Sequence, residues 1–336
     1  MKIAFFETEK WEEDYLREKL GGHELEFHEN RLDKDNLPEK NDFDAISVFT
    51  NCETDKAVIG HFPGLKFIST RSTGYDHIDL TEAASRGIII SSVPSYGENT
   101  VAEFAFGLML TLSRKIFLSY DRIRETGSFD LDGLQGFDLK GKTLGVVGTG
   151  KIGRHVIRMA KGFEMDVIAT DAYPDEKLTA EYGVKYVPFE ELIATADIIT
   201  FHVPELPSTI HMINMGNIGM IKKGAIIINT ARGAIIETAA LIRALNDGIV
   251  GGAGLDVFEE EVATKGQGEF LLKGRPEGHD LKTILENNLL IDMDNVIITP
   301  HNAFNTKEAL QRILDTTVDN INSFATGTPK NEVKVG

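Results

Sequence analysis

Short apolar runs alternate with longer stretches whose apolar positions recur every three or four residues. The runs at 3–6, 45–49, 67–70 and 88–91 are rich in Ile, Val, Phe and Ala, the composition of strands buried on both faces of a parallel sheet. Helical spacing lies between them, around residues 11–20 and 79–86. This alternation predicts βα units and a doubly wound sheet. The pattern resumes at 143. Runs at 143–147, 166–170, 197–201, 225–229, 250–255 and 296–299 predict six strands of a second parallel sheet. Between the two series, residues 99–118 form the longest helical candidate, a packing helix placed to connect two domains. Residues 124–142 are rich in Gly, Asp and Ser and predict a loop, 262–295 a charged insertion, and 306–325 a last helix.

A chain of 336 residues has room for two such domains, each with its own core. Composition is that of a soluble globular protein, 42% hydrophobic and 26% charged. The net charge of −17 argues against nucleic acid or an anionic membrane as partner, while a local cationic pocket for an anionic substrate remains compatible with it. Cys52 is the only cysteine, so no intrachain disulfide can form. The apolar run before Glu7 is too short for a signal peptide, and no run reaches membrane-spanning length. A cytoplasmic protein is the expectation.

The most informative stretch is 143–171. A strand-type run leads directly into Gly148-x-Gly150-x-x-Gly153, helical spacing follows at Ile152, Val156, Ile157 and Ala160, and a second run ends on Asp171. Each part suits a dinucleotide. Gly148 permits the tight turn, Gly150 lets backbone approach a pyrophosphate, and Gly153 lets helix and strand pack closely. The helix N-terminus offers free N–H groups to phosphate. Asp171, eighteen residues past Gly153, is placed to accept hydrogen bonds from an adenosine ribose. Asp130-x-Asp132-Gly133 has the start of a calcium loop, but Leu134 stands where an oxygen ligand is needed, and no metal site is expected.

Ligands of open α/β sheets bind beyond the carboxyl ends of the strands. Three polar residues stand there: Arg232 in N-T-A-R-G, Glu261 closing L-D-V-F-E-E-E, and His301 in T-P-H-N-A-F. An Arg can clamp a carboxylate through two hydrogen bonds. A His can exchange a proton with an alcohol or ketone oxygen, and a Glu bonded to it orients the ring and favours its charged form. The set suits redox chemistry on an anionic carbonyl compound.

These three motifs, together with V-G-T-G-K-I-G, H-V-P-E-L-P-S-T and R-S-T-G-Y-D-H-I-D, closely resemble the signatures of the D-isomer-specific 2-hydroxyacid dehydrogenases over residues 45–325. The resemblance implies two related domains with the site in their cleft. One is a Rossmann-type NAD domain at 99–302. The other is a flavodoxin-like substrate domain made of 1–98 and 303–336, and the assembly is a dimer. It makes His301 the acid/base, Glu261 its partner and Arg232 the substrate anchor. It assigns NAD binding to Gly148, Thr149, Gly150, Lys151, Ile152, Gly153, Asp171, His202, Val203, Pro204, Thr209, Thr230, Ala231, Arg232, Asp256 and His301. Backbone amides at Thr73 and Gly74 would hold the substrate carboxylate. Pro94-Ser95-Tyr96 and His301-Asn302-Ala303-Phe304 look most like the D-lactate dehydrogenase branch, in which Tyr96 and Phe304 would line the pocket. The segment between Glu261 and His301 is longer than the family pattern, which leaves Glu259, Glu260 and Glu261 in competition for His301. An offset of five from Asp256 favours Glu261.

The expected reaction is interconversion of a small 2-oxo acid, pyruvate first, with its D-2-hydroxy acid. Glycerate, glyoxylate or larger 2-oxo acids are the alternative. Formate oxidation needs no acid/base, and relatives that carry it out replace the Glu. An NAD-sensing corepressor keeps the same triad but needs a peptide cleft and disordered tails, of which this chain has almost none.

Overall fold

The computed structural model describes residues 1–261, 264 and 280–334. The chain folds into two compact units, residues 1–97 with 305–336, and residues 98–304. Both are α/β, and every strand pairing within their sheets is parallel.

In the first unit, β1 (Lys2–Phe6), α1 (Lys10–Lys19), β2 (Glu24–His28), β3 (Ala45–Val48), α2 (Lys56–His61), β4 (Phe67–Thr70), α3 (Leu80–Ser85) and β5 (Ile89–Ser91) follow in order. The sheet runs β2-β1-β3-β4-β5, the flavodoxin-like order. β1, β3 and β4 are almost wholly buried, as their unbroken apolar runs predict. β2, Glu-Leu-Glu-Phe-His, was not among the predicted strands. It is an edge strand whose apolar residues alternate with charged ones, so no continuous run marks it. The chain returns to this unit in the long helix Lys307–Ala325, where Phe324 stacks on Phe67 at 4.3 Å. Beyond that helix the backbone lies antiparallel along β5, with the Val333 amide donating to the Ile90 carbonyl at 2.9 Å.

The second unit opens with α4 (Glu98–Ser113) and α5 (Ile116–Thr126). Sequence periodicity predicts one helix there, followed by loop from 124. The structure breaks the helix at Arg114–Lys115 and carries its second half to Thr126. The cause is tertiary. The Phe137 amide takes the Ser113 carbonyl at 2.8 Å, and a Cβ at Gly136 would meet that oxygen at 2.1 Å. Lys115 turns left-handed, φ 53°, to start the new helix. α4 packs on α6 and under the sheet of this same unit, and it begins where the chain passes from the first unit to the second.

The sheet is built from β6 (Thr143–Val147), α6 (Lys151–Gly162), β7 (Asp166–Thr170), α7 (Glu176–Tyr182), β8 (Lys185–Tyr186), α8 (Phe189–Thr195), β9 (Ile198–Phe201), β10 (Ala225–Asn229), α9 (Thr238–Asn246), β11 (Val250–Leu255), α10 (Leu281–Ile291) and β12 (Val296–Ile298). Its order is β12-β11-β10-β9-β6-β7-β8. The described strands number seven, one more than predicted, because β8 is only two residues long. The order contains the Rossmann arrangement, with its reversal between β6 and β9. Of the predicted insertion at 262–295, residues 262–263 and 265–279 lie outside the described residues, and 281–291 form α10.

Candidate active site

The carboxyl ends of six strands of the second unit carry its polar residues to one edge of the sheet. Gly148 follows β6, Asp171 β7, His202 β9, Thr230 to Arg232 β10, Asp256 β11 and His301 β12.

At the reversal, Gly148 has φ 93°, and a Cβ there would meet the His202 carbonyl oxygen at 2.6 Å. A Cβ at Gly153 would meet the Gly148 carbonyl at 2.0 Å, which is why the start of α6 can lie against the loop. Gly150, by contrast, faces open space and is the N-cap of α6, with no side chain capping the exposed N–H groups. Thr149 is buried, and both its amide and its hydroxyl donate to Oδ2 of Asp171, at 2.6 and 3.0 Å. Lys151 is exposed and Ile152 half-buried at the start of the same helix.

His202 bonds Thr200 Oγ1 through Nε2 at 2.9 Å, and its Nδ1 is buried without a hydrogen-bond partner. Burial pushes this imidazole down to about 3, so it is neutral at any working pH. Val203 and Pro204 lead into a turn closed by Thr209, whose hydroxyl donates to the Pro204 carbonyl at 2.7 Å and accepts from the Leu206 amide. Thr230 Oγ1 is also buried and unpartnered. An open glycine loop, an uncapped helix end and two orphaned polar atoms at one sheet edge fit a dinucleotide.

Sequence reasoning missed Asn229, which shapes the turn after β10. Its side chain accepts from the Ala231 amide at 3.0 Å and donates to the Arg232 carbonyl at 2.8 Å. The Arg232 guanidinium donates to the Ala231 carbonyl at 2.8 Å. Gly233 then lies so close to the Phe258–Glu259 backbone that a Cβ would meet Phe258 O at 2.2 Å. The Arg232 turn is thereby held against the glutamate turn.

Of the three glutamates, Glu261 is the one at His301, Oε1 to Nδ1 at 3.1 Å. A carboxylate only accepts, so Nδ1 carries a proton and Nε2 is left for other work. Glu259 instead meets His211 Nε2 at 2.6 Å and the Thr238 amide at 2.7 Å, while Glu260 accepts from the Asp280 amide. α10 supports this turn from inside the predicted insertion, since buried Asn287 donates to the Glu259 carbonyl at 2.7 Å.

The Asp256 carboxylate is buried and takes three donors from the loop after β12: Thr299 Oγ1 at 2.6 Å, the Asn302 amide at 3.0 Å and the Ala303 amide at 2.9 Å. That loop holds His301 at φ 56°, a left-handed conformation sustained by its surroundings. In this structure Asp256 therefore serves the His301 loop directly. Phe304 is half-buried at the end of the unit.

In the first unit, Thr73 Oγ1 donates to the Val93 carbonyl at 2.7 Å, and Ser72 Oγ donates to the Gly74 carbonyl at 2.6 Å, fixing the loop after β4. The Tyr96 carbonyl accepts from Arg312 of the last helix.

Residues 106–303 match the family described as D-isomer specific 2-hydroxyacid dehydrogenase, NAD binding domain. The chain is 37% identical over 331 residues to 2-hydroxyacid dehydrogenase homolog 1 of Schizosaccharomyces pombe, covering 97% of this chain and 96% of the relative. It is 35% identical over 340 residues to D-lactate dehydrogenase of Escherichia coli, covering 97% and 98%. Among solved structures, D-lactate dehydrogenase from Aquifex aeolicus complexed with NAD and lactic acid is similar at a TM-score of 0.86 and 34% identity, covering 97% of this chain and 96% of that one.

Proposed function

The chain belongs to the D-isomer-specific 2-hydroxyacid dehydrogenase family and is an NAD-dependent 2-hydroxyacid dehydrogenase; from that premise we propose that it interconverts pyruvate and D-lactate. The reading rests on the His301–Glu261 contact of 3.1 Å beside the Arg232 turn, and on relatives that are themselves D-lactate dehydrogenases.

NAD, when bound, supplies the acceptor or donor of the hydride. The glycine loop from Gly148 to Gly153, with Asp171, His202, Val203, Pro204, Thr209, Thr230, Ala231 and Asp256, is proposed to hold it. In the reducing direction, Nε2 of a protonated His301 gives its proton to the carbonyl oxygen as that oxygen becomes a hydroxyl. Glu261 keeps Nδ1 engaged and so fixes the tautomer and orientation of the ring. In the oxidising direction, neutral Nε2 takes the hydroxyl proton. Arg232 pairs its planar fork with the substrate carboxylate, which fixes the reacting carbon relative to His301. The parts given to Thr73, Gly74, Tyr96 and Phe304 rest on family resemblance. A screen of pyruvate, 2-oxobutyrate, glyoxylate, hydroxypyruvate, phenylpyruvate and oxaloacetate with NADH tests the assignment. Pyruvate should give the highest kcat/KM, and a clear preference for glyoxylate or hydroxypyruvate would move the enzyme to another D-2-hydroxy acid.

The same reading includes a homodimer. α5 exposes Ile116, Phe117, Tyr120 and Ile123, and beyond it Phe129 is 81% exposed and Leu131 79%. An apolar surface of this kind marks an interface, and a second copy of the chain is its proposed cover. Tyr120→Glu should convert a dimer to monomer in sedimentation, and a wild type that sediments as a monomer contradicts the dimer. Work in the cytoplasm belongs to the reading too, supported by a lone cysteine that is buried. Among the described residues no helix is long and apolar enough to cross a membrane.

A further inference from the structure

A one-way line of hydrogen bonds from three elements ends on Asp171. The Asp175 amide, at the start of α7, donates to the Tyr186 hydroxyl at 3.0 Å. Tyr186, on β8, donates to Thr149 Oγ1 at 3.0 Å, and Thr149 donates to Asp171 Oδ2 at 3.0 Å. A backbone N–H can only donate and a carboxylate can only accept, so the two ends fix the direction of both hydroxyl protons between them. Donors aligned head to tail also polarise one another.

The effect on Asp171 follows from its acceptor sites. Oδ2 receives two donors, the amide and the hydroxyl of Thr149, and Oδ1 receives the Tyr173 amide at 2.8 Å. A carboxylate oxygen takes about two strong donors, so the position left open is on Oδ1. Its direction depends on how firmly Oδ2 is held. Thr149 is itself buried, at 3% exposure, but a threonine hydroxyl can rotate, and Tyr186 occupies the acceptor side that a rotated hydroxyl would need.

We propose that Tyr186 is a positioning residue for cofactor choice: through Thr149 it locks the Asp171 carboxylate with one acceptor site aimed at a ribose hydroxyl and unable to swing aside for a 2′-phosphate. The proposal rests on the reading that Asp171 faces the adenosine ribose. A merely structural Tyr186, supporting the start of α7 through the Asp175 amide, would affect both cofactors alike.

The test is calorimetric titration of NADH and NADPH into wild type, Tyr186→Phe, Thr149→Val, Thr149→Ser, Asp171→Ala and the Tyr186→Phe/Asp171→Ala double variant, with melting temperatures alongside. Tyr186→Phe removes one oxygen and should reduce the NADH-over-NADPH affinity ratio about 2- to 10-fold, the range of a single lost hydrogen bond. Thr149→Val should reduce it further, and Thr149→Ser, which keeps the hydroxyl, should leave it near wild type. On the Asp171→Ala background, Tyr186→Phe should leave the ratio unmoved, because the effect travels through the carboxylate. Equal weakening of both cofactors by Tyr186→Phe, or the same shift with and without Asp171, overturns the proposal while leaving the ribose reading intact. An unchanged ratio in Asp171→Ala overturns the ribose reading and the proposal with it.

Discussion

Nδ1 of His301 lies 3.1 Å from Oε1 of Glu261, although two other carboxylates, Glu259 and Glu260, stand next in the chain. Glu259 is committed to His211 at 2.6 Å, and Glu260 to the amide of Asp280. A carboxylate on Nδ1 fixes the tautomer and orientation of the ring and leaves Nε2 to carry the transferred proton. Glu261→Gln should therefore lower kcat for 2-oxo acid reduction by about 10-fold or more, part of the roughly 100- to 10,000-fold that acid–base catalysis is worth. Glu259→Gln should leave kcat near wild type. Turnover of both variants decides between them, and an unchanged kcat in Glu261→Gln would rule out its role.

General acid–base catalysis is worth roughly 100- to 10,000-fold, so His301→Ala should lower kcat by about that much while NADH binding, measured by titration, stays close to wild type. Arg232→Lys should chiefly raise KM for the 2-oxo acid, since one ammonium cannot reproduce a two-pronged clamp.

NAD(H) should be preferred over NADP(H) by roughly 100-fold or more, the cost of placing a phosphate against a carboxylate at close range. Ala172, Tyr173 and Pro174 follow Asp171 and bring no cation to neutralise it. Comparing kcat/KM with the two cofactors checks this. Equality in wild type contradicts it, and Asp171→Ala should narrow the gap.

The parts legible in the sequence were those in which a local pattern suffices. Unbroken apolar runs marked β3, β4, β6 and β10, and the glycine spacing marked the turn into α6. β2 escaped because an edge strand alternates charged and apolar residues, and β8 because two residues carry no period. The α4–α5 break depends on a loop laid across Ser113 from Gly136 and Phe137, more than twenty residues away, which no helical periodicity records. The site divides in the same way. His301 and Arg232 stood out as strand-end residues, whereas the pairing of His211 with Glu259 and the three donors to Asp256 arise only when distant loops meet. Tyr186 gave no signal, since a tyrosine on a short strand looks like packing.

Substrate size should follow burial of the C3 group. A methyl or short alkyl group gains about 0.8 kcal/mol per CH₂ against an apolar wall while space lasts, and a second carboxylate loses its hydration there. With Phe304 as part of that wall, Phe304→Ala should shift the order of kcat/KM among pyruvate, 2-oxobutyrate and phenylpyruvate toward the larger acids. An unchanged order removes Phe304 from the pocket.

Above all, the enzyme should reduce a small 2-oxo monocarboxylate to its D-alcohol. Pyruvate and oxaloacetate should each be turned over with NADH at neutral pH, with kcat/KM measured for both and the lactate formed from pyruvate resolved into its enantiomers. D-lactate should equal the NADH consumed, and kcat/KM for pyruvate should exceed that for oxaloacetate. L-lactate as the product, or faster turnover of oxaloacetate than of pyruvate, would contradict it.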